Sequence, residues 1–113
     1  MKCVSIEYLA GLVDGEGCLD FSSYKYKDKR YKYPMLRIGL VEKDSKVLKL
    51  INKQYGGSLN FRKFRPDRPN NQPMVLWVVC GKNCFYLITK LIPYLIVKRD
   101  KAKYIVKNSK KYD

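Results

Sequence analysis

The chain has 113 residues, of which 46% are hydrophobic, and this suits one globular domain with a modest core. It contains no run of about 18 apolar residues, and its start, "MKCVSIEYLA", lacks the apolar core of a signal peptide, so we expect an intracellular protein without a membrane span. The 24 Lys and Arg against 10 Asp and Glu give a net charge of +14, which predicts nucleic acid as the usual partner.

The first half of the chain predicts a helix, two strands and a second helix. Ser5 is suited to cap the first helix, and the glycines at 15 and 17 end it. Alternating apolar residues predict strands over 18–27 and 35–41, with a charged turn or loop between them. Asp44 or Ser45 caps the second helix, which Gly56 and Gly57 end. The apolar stripe of the first helix is Ile6, Leu9, Ala10 and Val13.

The second half predicts two more strands and two more helices. Residues 58–64 alternate as a third strand with Leu59 and Phe61 facing inward, and a proline-rich loop follows over 65–73. Residues 74–80 form a fourth strand that is apolar on both faces, so the pattern does not say which face is buried. A third helix covers 81–92, and the chain continues as a helix after Pro93 before a solvated basic tail.

This order, α-β-β-α-β-β-α with a last helix, predicts one α+β domain over residues 1–113. Helices would cover one face of a four-stranded antiparallel sheet. The other face would be polar, aromatic and basic, either as an ordinary solvated surface or as a surface that reads a nucleic-acid groove. Its side chains would be Asp20, Ser22, Tyr24, Tyr26, Tyr33, Arg37, Asn60 and Arg62.

The cysteines are expected to be reduced thiols in the core rather than metal ligands. Cys80 and Cys84 stand four apart, but the chain has no histidine, and the other two, Cys3 and Cys18, are isolated. These spacings do not favour a structural zinc site.

The segment "DGEG" at 14–17 ends the first helix with two carboxylates in a chain that has only 10 acidic residues. Turns are rich in Asp and Gly, so a simple turn is one interpretation. The C-terminal end of a helix is an unfavourable place for a carboxylate, however, because the helix dipole is already negative there. A carboxylate kept at this place in a basic protein is better explained as a ligand for a divalent cation, which activates water for attack on phosphorus.

The segment "LAGLVDGEG", Leu9 to Gly17, resembles the LAGLIDADG motif of homing endonucleases and related maturases. Val13, Gly15 and Glu16 are common alternatives at their positions. The segment "LIPYLIVKRDKA", 91–102, resembles the family's late P-[FY]-L-x-x-K stretch, and the element order agrees along nearly the whole chain. One copy of the motif is present, as in the single-motif members, which work as homodimers. The residues that stand as in the motif's name are Leu9, Ala10, Gly11, Leu12, Asp14 and Gly17.

The resemblance implies the LAGLIDADG endonuclease fold and a homing endonuclease that binds a long, near-palindromic DNA duplex. A homodimer would make a double-strand break with 3′-overhangs, using Mg²⁺ or Mn²⁺. No membrane partner is expected, because the basic residues are not gathered on one amphipathic helix. The location implied is the cytoplasm of a bacterium or phage host, or an organelle such as a chloroplast or mitochondrion.

The resemblance also assigns candidate catalytic residues. Glu16 is the metal-binding catalytic carboxylate, and the backbone carbonyl of Gly15 is a further ligand. Lys98 falls on the lysine of the family's catalytic pocket, and Lys46 falls near a basic position of it. Glu42 stands where the family commonly has Gln or a similar group, and it could orient water, bind metal or pair with a neighbouring lysine.

Other residues are candidates for the dimer and for DNA. Gly11 and Gly15 are four apart on one helix face and would let two such helices approach closely, with Asp14 serving that interface or the helix end. Phosphates or flanking bases would meet the basic residues of the first hairpin, while the tyrosines, Arg37, Asn60 and Arg62 are better suited to read bases. The basic hairpin residues are Lys25, Lys27, Lys29, Arg30 and Lys32.

Two other functions stay open. A non-cleaving intron RNA maturase would share the fold and the dimer, although an intact Glu16 argues against it. A basic RNA-binding protein of the ribosomal kind would use "DGEG" only as a turn. Cleavage of a plasmid that requires Mg²⁺ belongs to the endonuclease alone.

Overall fold

The structure, a computed structural model, describes residues 3–62 and 73–109. Its helices are α1 (Ile6–Glu16), α2 (Lys46–Tyr55), α3 (Gly81–Leu91) and α4 (Arg99–Lys107). Its strands are β1 (Gly17–Tyr26), β2 (Lys29–Val41), β3 (Ser58–Arg62) and β4 (Met74–Cys80). The strands form one antiparallel sheet in the order β1-β2-β4-β3, with the helices on one face, so the predicted α+β fold is confirmed. No described helix is long and apolar enough to cross a membrane.

The core lies between the helices and one face of the sheet. Ile38 of β2 pairs with Trp77 of β4, and both side chains are fully buried. The Trp77 Nε1–H donates a hydrogen bond to the Gly56 carbonyl at 2.9 Å, which ties the sheet to the end of α2. Val75, Trp77 and Val79 are therefore the inward face of β4, which the apolar pattern alone left open.

Helix α1 begins as predicted, because the Ser5 hydroxyl accepts a hydrogen bond from the Tyr8 N–H at 3.1 Å. It does not stop at Gly15, which is helical, and its last residue is Glu16. At Gly17 a Cβ atom would lie 2.8 Å from both the Cα and the carbonyl oxygen of Val13. Gly17 is therefore the residue that lets the chain leave the helix and enter β1 directly after Glu16.

Helix α2 begins and ends as predicted, although its first cap works differently. Ser45 is the N-cap, but its buried hydroxyl donates to the Glu42 carbonyl at 2.7 Å and does not cap the helix N–H groups. Gly56 and Gly57 follow the helix with φ of 83° and 105°, a conformation that favours glycine.

The charged turn or loop predicted over 27–34 is a turn, and it is shorter than expected. Only Lys27 and Asp28 form the turn, with φ of 50° and 65°, and β2 starts at Lys29. Two successive left-handed residues give a turn whose twist matches that of the paired strands, so β1 and β2 continue as a long ribbon. Tyr31 and Tyr33 alternate with basic residues, and this strand pattern was hidden by the high charge of the segment.

Two further predictions differ from the structure, and two others lie largely outside the described residues. The chain is not continuously helical after Pro93, since residues 95–98 separate a 3₁₀ turn over Ile92–Tyr94 from α4. Phe61 shares the inward register but is 63% exposed, because β3 is an edge strand with a neighbour on one side only. Most of the predicted loop over 65–73 and the basic tail from residue 110 lie outside the described residues.

The cysteines are free thiols as predicted, but only one of them is in the core. Cys3, Cys18 and Cys80 are exposed, because they lie in the N-terminal segment and on the face of the sheet away from the helices. Cys84 of α3 is buried, and this burial, with a smaller contribution from Cys80, raises its pKa to about 12.

Candidate active site and nucleic-acid interface

Glu16 ends α1 with an exposed side chain. Among residues 3–62 and 73–109, no group donates a hydrogen bond to this carboxylate or forms an ion pair with it. Helix α1 has no basic residue in its own last turn. A carboxylate at the negative end of a helix, without a partner in its own subunit, is electrostatically suited to receive a cation.

Asp14, one half-turn earlier, fastens the end of α1 to the segment before α4. Its carboxylate accepts hydrogen bonds from the N–H groups of Ile96, at 2.7 Å, and Lys98, at 3.0 Å. The Lys98 Nζ in turn donates to the Asp14 carbonyl at 2.8 Å. Lys98 thereby brings to the end of α1 the positive charge that the helix itself lacks there.

The pKa of Asp14 reflects this contact. Partial burial acts to raise it, but the hydrogen bonds from Ile96, Lys98 and Val97 and the charge of Lys98 outweigh burial, so the pKa lies below the usual 3.8. The partners of Asp14 are 82 and 84 residues away along the chain, and no local pattern could have indicated them. The sequence predicted Lys98 for the catalytic pocket but missed that Asp14 holds it.

Glu42 and Lys46 are exposed, and neither forms a hydrogen bond or an ion pair with Glu16. Gly17 pairs with Ile38, so β2 runs past the end of α1 and carries Glu42 further along the sheet. The Glu42 N–H donates to the Pro73 carbonyl at 2.9 Å, while its carboxylate forms no ion pair in the described part of the chain. Among the described residues, Glu42 therefore does not pair with a neighbouring lysine, which was one of the three roles considered for it.

The face of the sheet away from the helices is called the open face, and by strand register it carries all eight residues predicted for it. Tyr24, Tyr26 and Arg62 are exposed on it. Arg37 is half-buried, with its Nη2 at 3.8 Å from the Cys18 Sγ and its Nε without a partner among the described residues. The eight residues are Asp20, Ser22, Tyr24, Tyr26, Tyr33, Arg37, Asn60 and Arg62.

The hairpin of β1 and β2 adds a tyrosine cluster to the open face. The rings of Tyr24 and Tyr31 stack with centroids 5.3 Å apart, and the centroid of the tilted Tyr33 ring lies 5.9 Å from that of Tyr24. Tyr31 was missed because its segment was assigned to a charged turn or loop and not to a strand. Its alternation with Tyr33 is the signal that could have identified it.

The five basic hairpin residues do not all lie on one face. Lys29 is paired with Tyr26 and shares the open face, and the Lys27 Nζ in the turn lies 5.5 Å from the centre of the Tyr26 ring. The reverse face of the hairpin carries Lys25, Arg30 and Lys32. Positive charge is thus available on both sides of the ribbon.

One side of α1 is uncovered. At Gly11 and at Gly15 a Cβ atom would meet no atom of residues 3–62 and 73–109 within 4 Å, so none of these residues requires glycine at either helical position. Large apolar side chains near these glycines are also exposed. Tyr8 of α1 is 54% exposed, and Ile96 and Val97, in the segment that Asp14 holds by hydrogen bonds, are 80% and 75% exposed. Such a surface is typical of one that another molecule covers.

Similar proteins were found by family and by structure. A family model described as "LAGLIDADG endonuclease" matches residues 9–113. The homing endonuclease I-CvuI, solved on the I-CreI target in 2 mM Mg with the DNA not cleaved, has a TM-score of 0.75 and 28% identity, covering 95% of this chain and 66% of that chain. I-CvuI on its own target in 2 mM Ca gives a TM-score of 0.76 at the same identity and coverage.

A third structure, the homing endonuclease I-TnaI, has a TM-score of 0.69 and 21% identity, covering 97% of this chain and 76% of that chain, and supports the fold alone. No curated protein matches the chain significantly. The chain spans about two thirds, 66%, of the length of I-CvuI. Because the family model covers almost all of its residues, the chain belongs to the LAGLIDADG endonuclease family.

Proposed function

We propose that this chain is a homing endonuclease that binds a long, near-palindromic DNA duplex as a homodimer. It cleaves one phosphodiester bond in each strand with a divalent metal ion and leaves 3′-overhangs. The observation that carries this proposal is the exposed Glu16 carboxylate at the end of α1, which has no partner in the described part of its own subunit. Family membership and the solved complexes of I-CvuI with DNA support it.

The donor set at the end of α1 fits Mg²⁺. Glu16 provides a carboxylate and Gly15 a backbone carbonyl, and oxygen donors of this kind are those that Mg²⁺ prefers. The described residues contain no group of three or more His, Cys, Asp and Glu that could hold a metal ion alone, so phosphate, water or a second subunit would complete the site. A divalent cation held there would neutralise phosphate charge and lower the pKa of a bound water.

The homodimer follows from what one subunit lacks. One copy of the motif supplies one Glu16, whereas cutting two strands needs two such acids. The uncovered side of α1 at Gly11 and Gly15 would allow the α1 helices of two subunits to pack closely, as small residues four apart do. That packing would cover the exposed face and bring two copies of Glu16 to the middle of one DNA site.

Binding to DNA is assigned to the open face and the hairpin ribbon. An antiparallel ribbon of two strands fits the major groove, where base edges can be read. Its tyrosines and Arg37, Asn60 and Arg62 would face the bases, while lysines on both sides of the ribbon would meet phosphates. The net charge of +14 suits a polyanionic partner.

The two other functions are tested by the same assay. The interpretation of "DGEG" as a simple turn is disfavoured, since residues 14–16 are helical and the chain belongs to the family. A maturase of the same fold would bind RNA without cutting DNA. We expect plasmid carrying the target to be linearised in Mg²⁺ and left intact in EDTA, and an intact plasmid in both would favour the maturase.

Lys98 is expected to support cleavage more than binding. Its ammonium group lies at the end of α1 and would stabilise the negative charge that develops on the phosphate. Lys98→Ala should slow single-turnover cleavage by about 100-fold to 1,000-fold while DNA affinity falls much less. Lys101→Ala, at an exposed position of α4, is the control, and equal losses of cleavage and affinity in Lys98→Ala would make Lys98 a simple phosphate contact.

Asp14 is expected to act as a positioning residue for Lys98. Asp14→Asn removes the charge that holds the Ile96 and Lys98 N–H groups, and we expect cleavage to fall roughly 10-fold to 100-fold, as when a partner that orients a ligand is lost. Glu7→Gln, which removes an exposed acid from the first turn of α1, away from the Asp14 contact, should have little effect. An Asp14→Asn chain with unchanged cleavage and stability would refute this role.

The pH dependence of stability gives an independent readout of the Asp14 contact. The folded-state pKa of Asp14 lies below its usual 3.8, so its stabilising effect is complete above that value and is lost as the pH falls through the lower, folded-state pKa. The difference in melting temperature between wild type and Asp14→Asn should therefore shrink on acidification. A difference that is constant from neutral to strongly acidic pH would mean that the carboxylate charge is not involved.

A further inference from the structure

The open face is not polar throughout, because five of its side chains are apolar. They form the apolar strip, which consists of Met35 and Val41 of β2 and Met74, Leu76 and Val78 of β4. β4 is apolar on both faces, and the core accounts for only one of them. The other face of β4 is directed to the same side as Arg37 and Asn60.

The strip does not belong to the core. None of its five side chains is fully buried or packs against the core cluster, and Met74 is 39% exposed. All four described helices lie on the opposite face of the sheet, so no described helix covers the strip. A buried-core explanation for these residues therefore fails.

The strip is uninterrupted along β4, where Met74, Leu76 and Val78 are successive residues of the open face, whereas in β2 Arg37 separates Met35 from Gly39. Gly39 pairs with Leu76, and Val41 pairs with Met74. A Cβ atom on Gly39 would lie 3.3 Å from the Leu76 Cδ1 and 3.4 Å from the Met74 Cε, so these side chains lean over the bare backbone of β2. Around Gly39 the open face is therefore apolar, because Leu76 and Met74 cover the backbone there.

Polar and basic side chains border the strip. Val78 lies between Arg37 and Ser58 in register, Leu76 pairs with Asn60, and Met74 pairs with Arg62. This surface matches a partner that is apolar along its centre and anionic or hydrogen-bonding at its edges. In the major groove the C5-methyl of thymine is the apolar feature of the base edges, and phosphates line both sides.

We infer that the apolar strip reads thymine methyl groups, with Leu76 at its centre as a specificity-determining residue. The inference rests on the proposed function, since it requires that the open face lie in the major groove. Each half of the target then contains thymines opposite β2 and β4. An apolar protein partner fits this surface less well, because Arg37 and Arg62 border the strip and the chain carries a charge of +14.

Uracil substitution tests the inference, because deoxyuridine differs from thymidine only by the missing methyl group. Sites are first selected from a randomised duplex library with the full chain. Each thymine of a selected site is then replaced by deoxyuridine, and Kd is measured in Ca²⁺. We expect Kd to rise roughly two-fold to four-fold at two or more thymines of each half-site, the loss expected for one buried methyl group.

A variant identifies the side chain that makes the contact. Leu76→Ala should abolish the uracil effect at one position of each half-site and leave it at the others. Asn60→Ala, its register partner, should weaken binding while keeping the uracil effect, and this is the matched control. Tight binding by wild type with no uracil effect at any position overturns the inference but not the proposed function, whereas failure to select any duplex overturns both.

Discussion

Glu16→Gln is expected to reduce cleavage by about 1,000-fold or more while the chain still binds its target. Glutamine keeps the size of the side chain but removes the charge that would hold the cation, and without the cation no water is activated. DNA affinity should stay within about tenfold, because phosphate contacts supply most of it. Single-turnover cleavage in Mg²⁺ and a binding assay on the same duplex measure the two effects separately.

The control for this variant is the removal of an acid elsewhere. Glu7→Gln is the same substitution at an exposed position in the first turn of α1, at the opposite end of the helix, and it should cleave like wild type. If Glu16→Gln cuts at a near wild-type rate, Glu16 is not the catalytic carboxylate. If it loses DNA binding to the same degree as cleavage, its role is in binding or folding.

Gly11→Leu is expected to break the dimer and abolish cleavage while the subunit remains folded. A side chain at position 11 would meet no neighbour in the described part of the subunit, since none of its atoms lies within 4 Å of a Cβ there. Leucine also favours a helix over glycine by about 0.8 kcal/mol, so the isolated subunit should not lose stability. In the proposed dimer, however, the same side chain would force the two α1 helices apart.

Sedimentation with and without DNA, together with thermal unfolding followed by circular dichroism, measures this outcome. Lys90→Leu, at an exposed position of α3, introduces the same side chain away from α1 and should remain dimeric and active. A Gly11→Leu chain that dimerises and cuts like wild type would contradict the proposed interface. So would a wild-type chain that is monomeric on DNA and still makes double-strand breaks.

Local patterns predicted most of the fold. The Ser5 cap, the Gly56-Gly57 stop and the two-residue alternation of the strands depend on neighbours within a few positions, and the structure has each of them. The start of β2 was predicted too late, because the high charge of residues 27–34 outweighed the alternation of Tyr31 and Tyr33. The buried face of β4 was unreadable, since both of its faces are apolar and only pairing with β2 and β3 distinguishes them.

The candidate site was only partly accessible from the sequence. Resemblance to the family predicted Glu16 from the LAGLIDADG motif and Lys98 from the late P-Y-L segment, and the structure brings both residues to the same end of α1. The contact that holds Lys98 there joins Asp14 to residues more than 80 positions away, and such a contact depends on the tertiary fold. The apolar strip was missed for a similar reason, because it exists only where β2 and β4 pair.

The most direct test of the proposed homodimeric endonuclease is to map both cut ends in the DNA sites that wild type selects from a randomised duplex library in Mg²⁺. A homodimer with one Glu16 in each subunit should select near-palindromic sites, because a twofold protein presents the same surface to each half-site. Both strands should be cut symmetrically about the centre, leaving 3′-overhangs. Sites without twofold symmetry, cuts in one strand only, or no metal-dependent cleavage of any duplex would contradict the proposed function.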